Sequence, residues 1–106
     1  LFCYSIDTFN KISNKLNEIP FTKKDARDFN RFFMSGATNV ELDKQGRINI
    51  SNVLINYAHL IKDCVIIGTG DRIEIWSSDN WESFFNSTKD IMSDIAENLF
   101  NESVNL

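Results

Sequence analysis

Leu42-Asp43-Lys44-Gln45-Gly46-Arg47-Ile48 is the stretch that decides how the rest of the sequence reads. An aspartate at the head of a tight turn can accept the turn's own backbone amides, and a glycine three residues later permits the positive φ that the reversal needs. On either side the period is two. Residues 37–42 set Val40 and Leu42 opposite Asn39 and Glu41, and residues 47–50 set Ile48 and Ile50 opposite Arg47 and Asn49, the pattern of half-buried strands. The expectation is a β-hairpin in which Asp43 and Gly46 steer Lys44, Gln45 and Arg47 outward from a rigid β frame. Lysine and arginine reach phosphates, and arginine also forks onto O6 and N7 of guanine in the major groove. By itself the pattern is that of any charged β-turn.

Working outward, residues 5–19 carry Ile6, Phe9, Ile12, Leu16 and Ile19 at spacings of three and four, an amphipathic helix that Pro20 ends. Thr22-Lys23-Lys24-Asp25 reads as the capped start of a second helix, with Ala26, Phe29, Phe32 and Phe33 on its apolar side and Gly36 as its C-terminal cap. Beyond the hairpin, Ser51 or Asn52 can cap a short helix bearing Val53, Leu54, Tyr57 and Ala58. Cys64-Val65-Ile66-Ile67, an apolar run of the kind buried on both faces, turns through Gly68-Thr69-Gly70-Asp71 into Arg72-Ile73-Glu74-Ile75-Trp76, which makes a second hairpin. Ser78 or Asp79 is expected to cap one last helix, with Trp81, Phe84, Phe85, Ile95 and Leu99 along one side; the polar tail from Asn101 is expected to fray. Leu1-Phe2-Cys3-Tyr4-Ser5 reads as a strand that begins in mid-course without a methionine, as in a fragment. The fold class is α+β, with helices towards both ends and short antiparallel strands between.

The 106 residues suit one small domain with a modest core, which gains from a partner surface. No run approaches the length of a membrane span, and no charged and apolar leader opens the chain. Cys3 and Cys64 sit in apolar surroundings, as buried thiols of a reducing compartment do. Charge is divided unevenly. Residues 1–50 hold eight basic and six acidic side chains, residues 51–106 three and nine, so the halves carry +2 and −6. One electropositive face is the functional reading of that asymmetry; two solvated surfaces of different composition is the plain one.

Catalysis finds little support. The single histidine, His59, has no second histidine or paired cysteine to complete a metal shell and reads as structural. No serine or cysteine nucleophile has a base and orienting group beside it in the sequence. The glycines of Gly68-Thr69-Gly70-Asp71 precede a strand rather than a helix, which makes them a hairpin turn and not a dinucleotide loop. Phe29, Phe32, Phe33, Phe84 and Phe85 lie at helical spacing and read as packing rather than as stacking platforms for bases. No enzyme activity, cofactor, metal or small-molecule substrate is expected.

Several of these segments, in order, resemble the MraZ family: Phe21-Thr22-Lys23-Lys24-Asp25-Ala26-Arg27, Arg31-Phe32-Phe33-Met34-Ser35-Gly36-Ala37, Glu41-Leu42-Asp43-Lys44-Gln45-Gly46-Arg47-Ile48, Asn56-Tyr57-Ala58 and Arg72-Ile73-Glu74-Ile75-Trp76. The resemblance implies a bacterial transcriptional regulator of the division and cell-wall gene cluster, cytoplasmic and nucleoid-associated. It also implies an AbrB-like swapped-hairpin, or double-split, β-barrel built of two half-domains, with flanking amphipathic helices. In that family each half carries one D-x-x-x-R motif, subunits assemble into ring homo-oligomers, and the motifs are implicated in binding G-rich promoter repeats in double-stranded DNA. Carried onto this chain, Arg47 is the leading DNA contact, Lys44 and Gln45 are its neighbours, and Asp43 fixes the turn. Residues 1–21 then correspond to the last strand and helix of a first half-domain that is otherwise missing. Residues 22–36 form a connecting helix, 37–80 the second half-domain and 81–106 the C-terminal helix and tail, whose acidic surface would face away from DNA. Ser51 departs from the family's usual proline. The alternative is a truncated copy that keeps only oligomerisation or protein-interaction surfaces.

Overall fold

The computed structural model describes residues 1–104, with side chains through residue 101. Its elements are β1 (Phe2–Cys3), α1 (Ile6–Glu18), α2 (Lys24–Ser35), α3 (Asn52–Tyr57), β2 (Cys64–Gly68), β3 (Ile73–Ser77), α4 (Ser78–Thr88) and α5 (Met92–Val104). The three strands form one antiparallel sheet in the order β1-β3-β2. The α+β expectation holds, and so do the opening strand and the second hairpin. In that hairpin Cys64 faces Ser77 and Gly68 faces Ile73, and Gly70, at φ 98°, supplies the left-handed residue of the turn. β1 takes the other side of β3, pairing Phe2 with Glu74 and Cys3 with Ile73, while Leu1 and Ile75 exchange main-chain hydrogen bonds.

The densest part of the molecule is the corner from β3 into α4. Ile75 is its buried apolar residue, and Ser77, only 2% exposed, ends the strand and caps α4 by accepting from the Asn80 amide at 3.1 Å. Trp81 and Phe84 of α4 close on Trp76 of β3 at ring separations of 5.5 and 5.4 Å. A looser aromatic chain joins the helices of the first half: Phe9 of α1 stacks on Phe33 of α2, and Phe32 of α2 meets Tyr57 of α3 edge-on.

Several expectations are corrected. Residues 37–42 and 47–50 form no strands; the two arms diverge beyond the turn, and an open cleft of about 410 Å³ lined by Thr38, Asn39, Val40, Glu41, Asn49 and Ser51 lies between them. A lone two-stranded ribbon is marginal in water, and here Val40 and Leu42 remain exposed with no second layer to cover them. Ile66 is 69% exposed, so β2 is half-buried on the face of Val65 and Ile67 and open on the other. Thr22 does not cap α2: the position before the helix is Lys23, without a side-chain cap, and Arg27 instead donates to the Phe21 carbonyl. The last helix is two, α4 capped by Ser77 rather than Ser78 or Asp79, and α5 after a break at residues 89–91. α5 runs on through Val104, into the tail expected to fray; residues 105 and 106 lie outside those described. Cys64 is exposed rather than buried. The radius of gyration is 17.2 Å, against about 13 Å for a closed domain of this length.

His59 has a backbone role. It follows α3 at φ 55°, its amide donates to the Asn56 carbonyl, and the Leu60 amide reaches back to the Ile55 carbonyl, which seats buried Leu60 beneath the helix end. This is the Schellman arrangement, normally given to glycine because a Cβ at positive φ costs about 1–2 kcal/mol. Replacing exposed His59 by glycine is expected to raise Tm by a few degrees in a thermal melt, whereas valine there should lower it.

Candidate nucleic-acid interface

The turn at residues 43–47 is ordered by one carboxylate whose two oxygens have separate tasks. Oδ1 of Asp43 accepts from the backbone amides of Gln45 and Arg47, both at 2.8 Å. Oδ2 accepts from Nε of Arg47 at 3.1 Å. The main chain closes the same loop, since the Asp43 amide donates to the Arg47 carbonyl at 2.8 Å and the Gly46 amide to the Asp43 carbonyl at 3.0 Å. Gly46 stands at φ 75° with open space where a side chain would be, so only the backbone conformation calls for glycine. The amides of Arg47 and then Gln45, and after them the Arg47 side chain, hold the Asp43 carboxyl below its ordinary range.

Asp43, Lys44, Gln45 and Arg47 are therefore brought together as expected, at an exposed tip, although on a turn with diverging arms rather than on a β frame. Arg47 is 72% exposed and its Nε is occupied, which leaves the terminal nitrogens Nη1 and Nη2 facing solvent. The cations of α2 are more engaged. Lys24 and Arg31 share Asp28 at 3.0 and 3.5 Å, and Arg27 is turned to the Phe21 carbonyl. Positive charge open to an anionic surface in residues 1–50 thus includes Lys44 and Arg47 at the tip together with the exposed Lys11, Lys15 and Lys23.

A second constellation went unremarked in the sequence. Glu74, 8% exposed, accepts from Nε and Nη2 of Arg72 at 2.9 and 2.7 Å through one oxygen and from the Trp76 indole at 2.9 Å through the other. Arg72 also meets Asp71 at 3.1 Å and lies over the Phe2 ring, 4.6 Å from its centroid. The indole bond and then the arginine lower the Glu74 pKa against a burial effect that raises it, and Glu74 in turn raises that of Arg72. Its signal in the sequence is Arg72, Glu74 and Trp76 at period two, which places them on one strand face without naming their partners. With every polar atom partnered and both charges matched, the cluster braces β1 and α4 against β3 and offers no reactive group.

Residues 33–102, about two thirds of the chain, match the family described as "MraZ protein, putative antitoxin-like". The chain belongs to the MraZ family. The matched region of this MraZ chain holds the Asp43 turn, the β2–β3 hairpin, the Glu74 brace and α4; β1 and α1 precede it. Among the described residues, no group of three or more metal-ligating side chains comes together and no helix is long and apolar enough to cross a membrane.

The brace gives stability a definite pH dependence. A carboxylate held below its ordinary pKa stabilises the fold fully above its unfolded value, about 4.3, and loses that contribution as pH falls through the lower folded value. Glu74→Gln should reduce the unfolding midpoint at neutral pH by several degrees, and the gap from wild type should narrow as the pH is lowered below about 4. A gap that stays constant with pH would show that the charge of Glu74 is irrelevant.

Proposed function

We propose that this chain is a DNA-binding transcriptional regulator acting at repeats upstream of the division and cell-wall gene cluster, as a ring homo-oligomer whose turns at residues 43–47 meet double-stranded DNA. Arg47 is the principal contact, Lys44 and Gln45 flank it, and Asp43 holds the turn. The observation that carries the reading is the exposed tip itself, where a charged guanidinium with free terminal nitrogens stands on a loop fixed by five hydrogen bonds. Rigid presentation lowers the entropy lost on binding. Each tip offers only two cations, Lys44 and Arg47, so affinity would come from several copies engaging spaced repeats together.

In the half-domain scheme, residues 37–80 form the second AbrB-like half, with residues 22–36 connecting it to the remains of the first at 1–21 and residues 81–106 leading away. Swapped pairing of the arms with another half would supply the layer that Val40 and Leu42 lack. A second reading keeps only the association surfaces of the family; the diverging arms and exposed Leu42 and Phe32 favour it.

The mass of the purified chain in solution, with and without a duplex bearing spaced G-rich repeats, separates the two. The regulator reading expects a defined oligomer that binds the duplex, more weakly as salt rises, and an Arg47→Ala variant that melts like wild type yet loses specific binding about tenfold or more. An oligomer indifferent to DNA would favour the second reading, and unchanged affinity in Arg47→Ala would remove Arg47 from the interface.

A further inference from the structure

The turn contains more than a fixed loop, because the two oxygens of Asp43 act on different groups. Oδ1 is consumed by backbone amides and sets the fold of the turn. Oδ2 contributes nothing to the backbone; its partner is the Arg47 side chain. The root of that side chain is already fixed, since the Arg47 amide and carbonyl are both bonded to Asp43. With the root and Nε held, the remaining freedom of the long side chain is small. An exposed ion pair between two mobile side chains would do little, whereas this one closes a ring whose other bonds belong to the backbone.

We infer that Asp43 is a positioning residue for recognition: through Oδ2 it holds the Arg47 guanidinium by Nε, so that Nη1 and Nη2 present a fixed end-on fork to a base edge. The inference rests on the DNA-binding reading above and adds to it the kind of contact made. A guanidinium free to swivel meets any phosphate and gives affinity without sequence preference. One held by Nε keeps two parallel donors of its terminal edge pointed in one direction, the geometry that pairs with two adjacent acceptors such as O6 and N7 of guanine. The negative charge of Asp43 weakens general attraction to the DNA backbone, so its presence beside the leading cation is unfavourable for a phosphate contact and favourable for an oriented one.

Asp43→Asn separates the tasks, because the asparagine carbonyl can still accept both backbone amides while its amide nitrogen cannot accept from Nε. The substitution also removes a negative charge from the tip. If Asp43 positions Arg47, the variant will bind the duplex with G-rich repeats more weakly and a scrambled duplex of equal length as well or better. The ratio of the two affinities should fall about tenfold. Arg47→Lys, which keeps the charge and loses the fork, should fall similarly. A merely electrostatic Arg47 predicts the reverse sign, with Asp43→Asn strengthening binding to both duplexes, and that result would overturn the inference while leaving Arg47 at the interface. If Arg47→Ala leaves binding untouched, the DNA reading itself has failed.

The orienting bond has a readout that needs no DNA. In nitrogen-15 spectra of the free protein, the Arg47 Nε–H should be resolved from exposed arginines and should collapse towards them in Asp43→Asn, while the Gln45 and Arg47 backbone amides keep their hydrogen-exchange protection. An Arg47 Nε–H unchanged by the substitution overturns the inference whatever the binding data. Loss of amide protection would mark the variant as misfolded at the turn, and the Arg47→Lys affinity ratio then decides alone.

Discussion

Among the described residues β3 is the one strand with neighbours on both sides, and the architecture depends on that double pairing. Its central residue, Ile75, is buried and bonded through its main chain to Leu1, while opposite Ile66 it completes the hairpin register. The side chains of β3 then divide the labour. Ile75 serves the apolar face, and Glu74 and Trp76 tie Arg72, Phe2 and α4 to the other. A buried carboxylate is tolerable there because each oxygen is satisfied by a donor, and breaking a partnered buried charge disturbs far more than its own contacts.

Away from this corner the chain covers its apolar surface incompletely. Phe32, Leu42, Ile66 and Phe100 are all more than 60% exposed, apolar surface of the kind that marks an interaction face when it is contiguous. The diverging arms at 37–50 are part of the same deficit, since their alternating residues are patterned for a layer that this chain by itself does not provide. Expansion to a 17.2 Å radius follows from that lack. In the first half of the chain β1 joins the sheet, whereas α1, α2 and α3 meet through aromatic contacts.

Local chemistry was legible in the sequence, and long-range closure was not. The Asp43 turn, the Gly70 turn and the Ser51 cap depend on residues within four positions of one another, so their types and spacing suffice. The helical periods of α1 and α2 were readable for the same reason. Residues 37–42 and 47–50 misled because period-two alternation records what a segment is prepared to bury, and pairing also requires a partner within reach. At α2 a threonine with an aspartate three residues on looked sufficient, yet Pro20 sets a turn that carries the chain one residue further before the helix begins. The break between α4 and α5 has no glycine or proline to announce it. The role of Arg72 and Glu74 was hidden because alternation gives the face of a strand and not the partners across it.

The two tryptophans of the chain, Trp76 and Trp81, stand 5.5 Å apart at an interplanar angle of 76°. Intrinsic emission and any exciton signal in the near ultraviolet therefore report a single locality, the contact of β3 with α4. The turn bearing Asp43 and Arg47 contains no aromatic chromophore of its own. Tryptophan-emission unfolding curves of this protein measure the sheet corner, and rearrangement of the arms at 37–50 passes unseen by them unless a reporter is placed there.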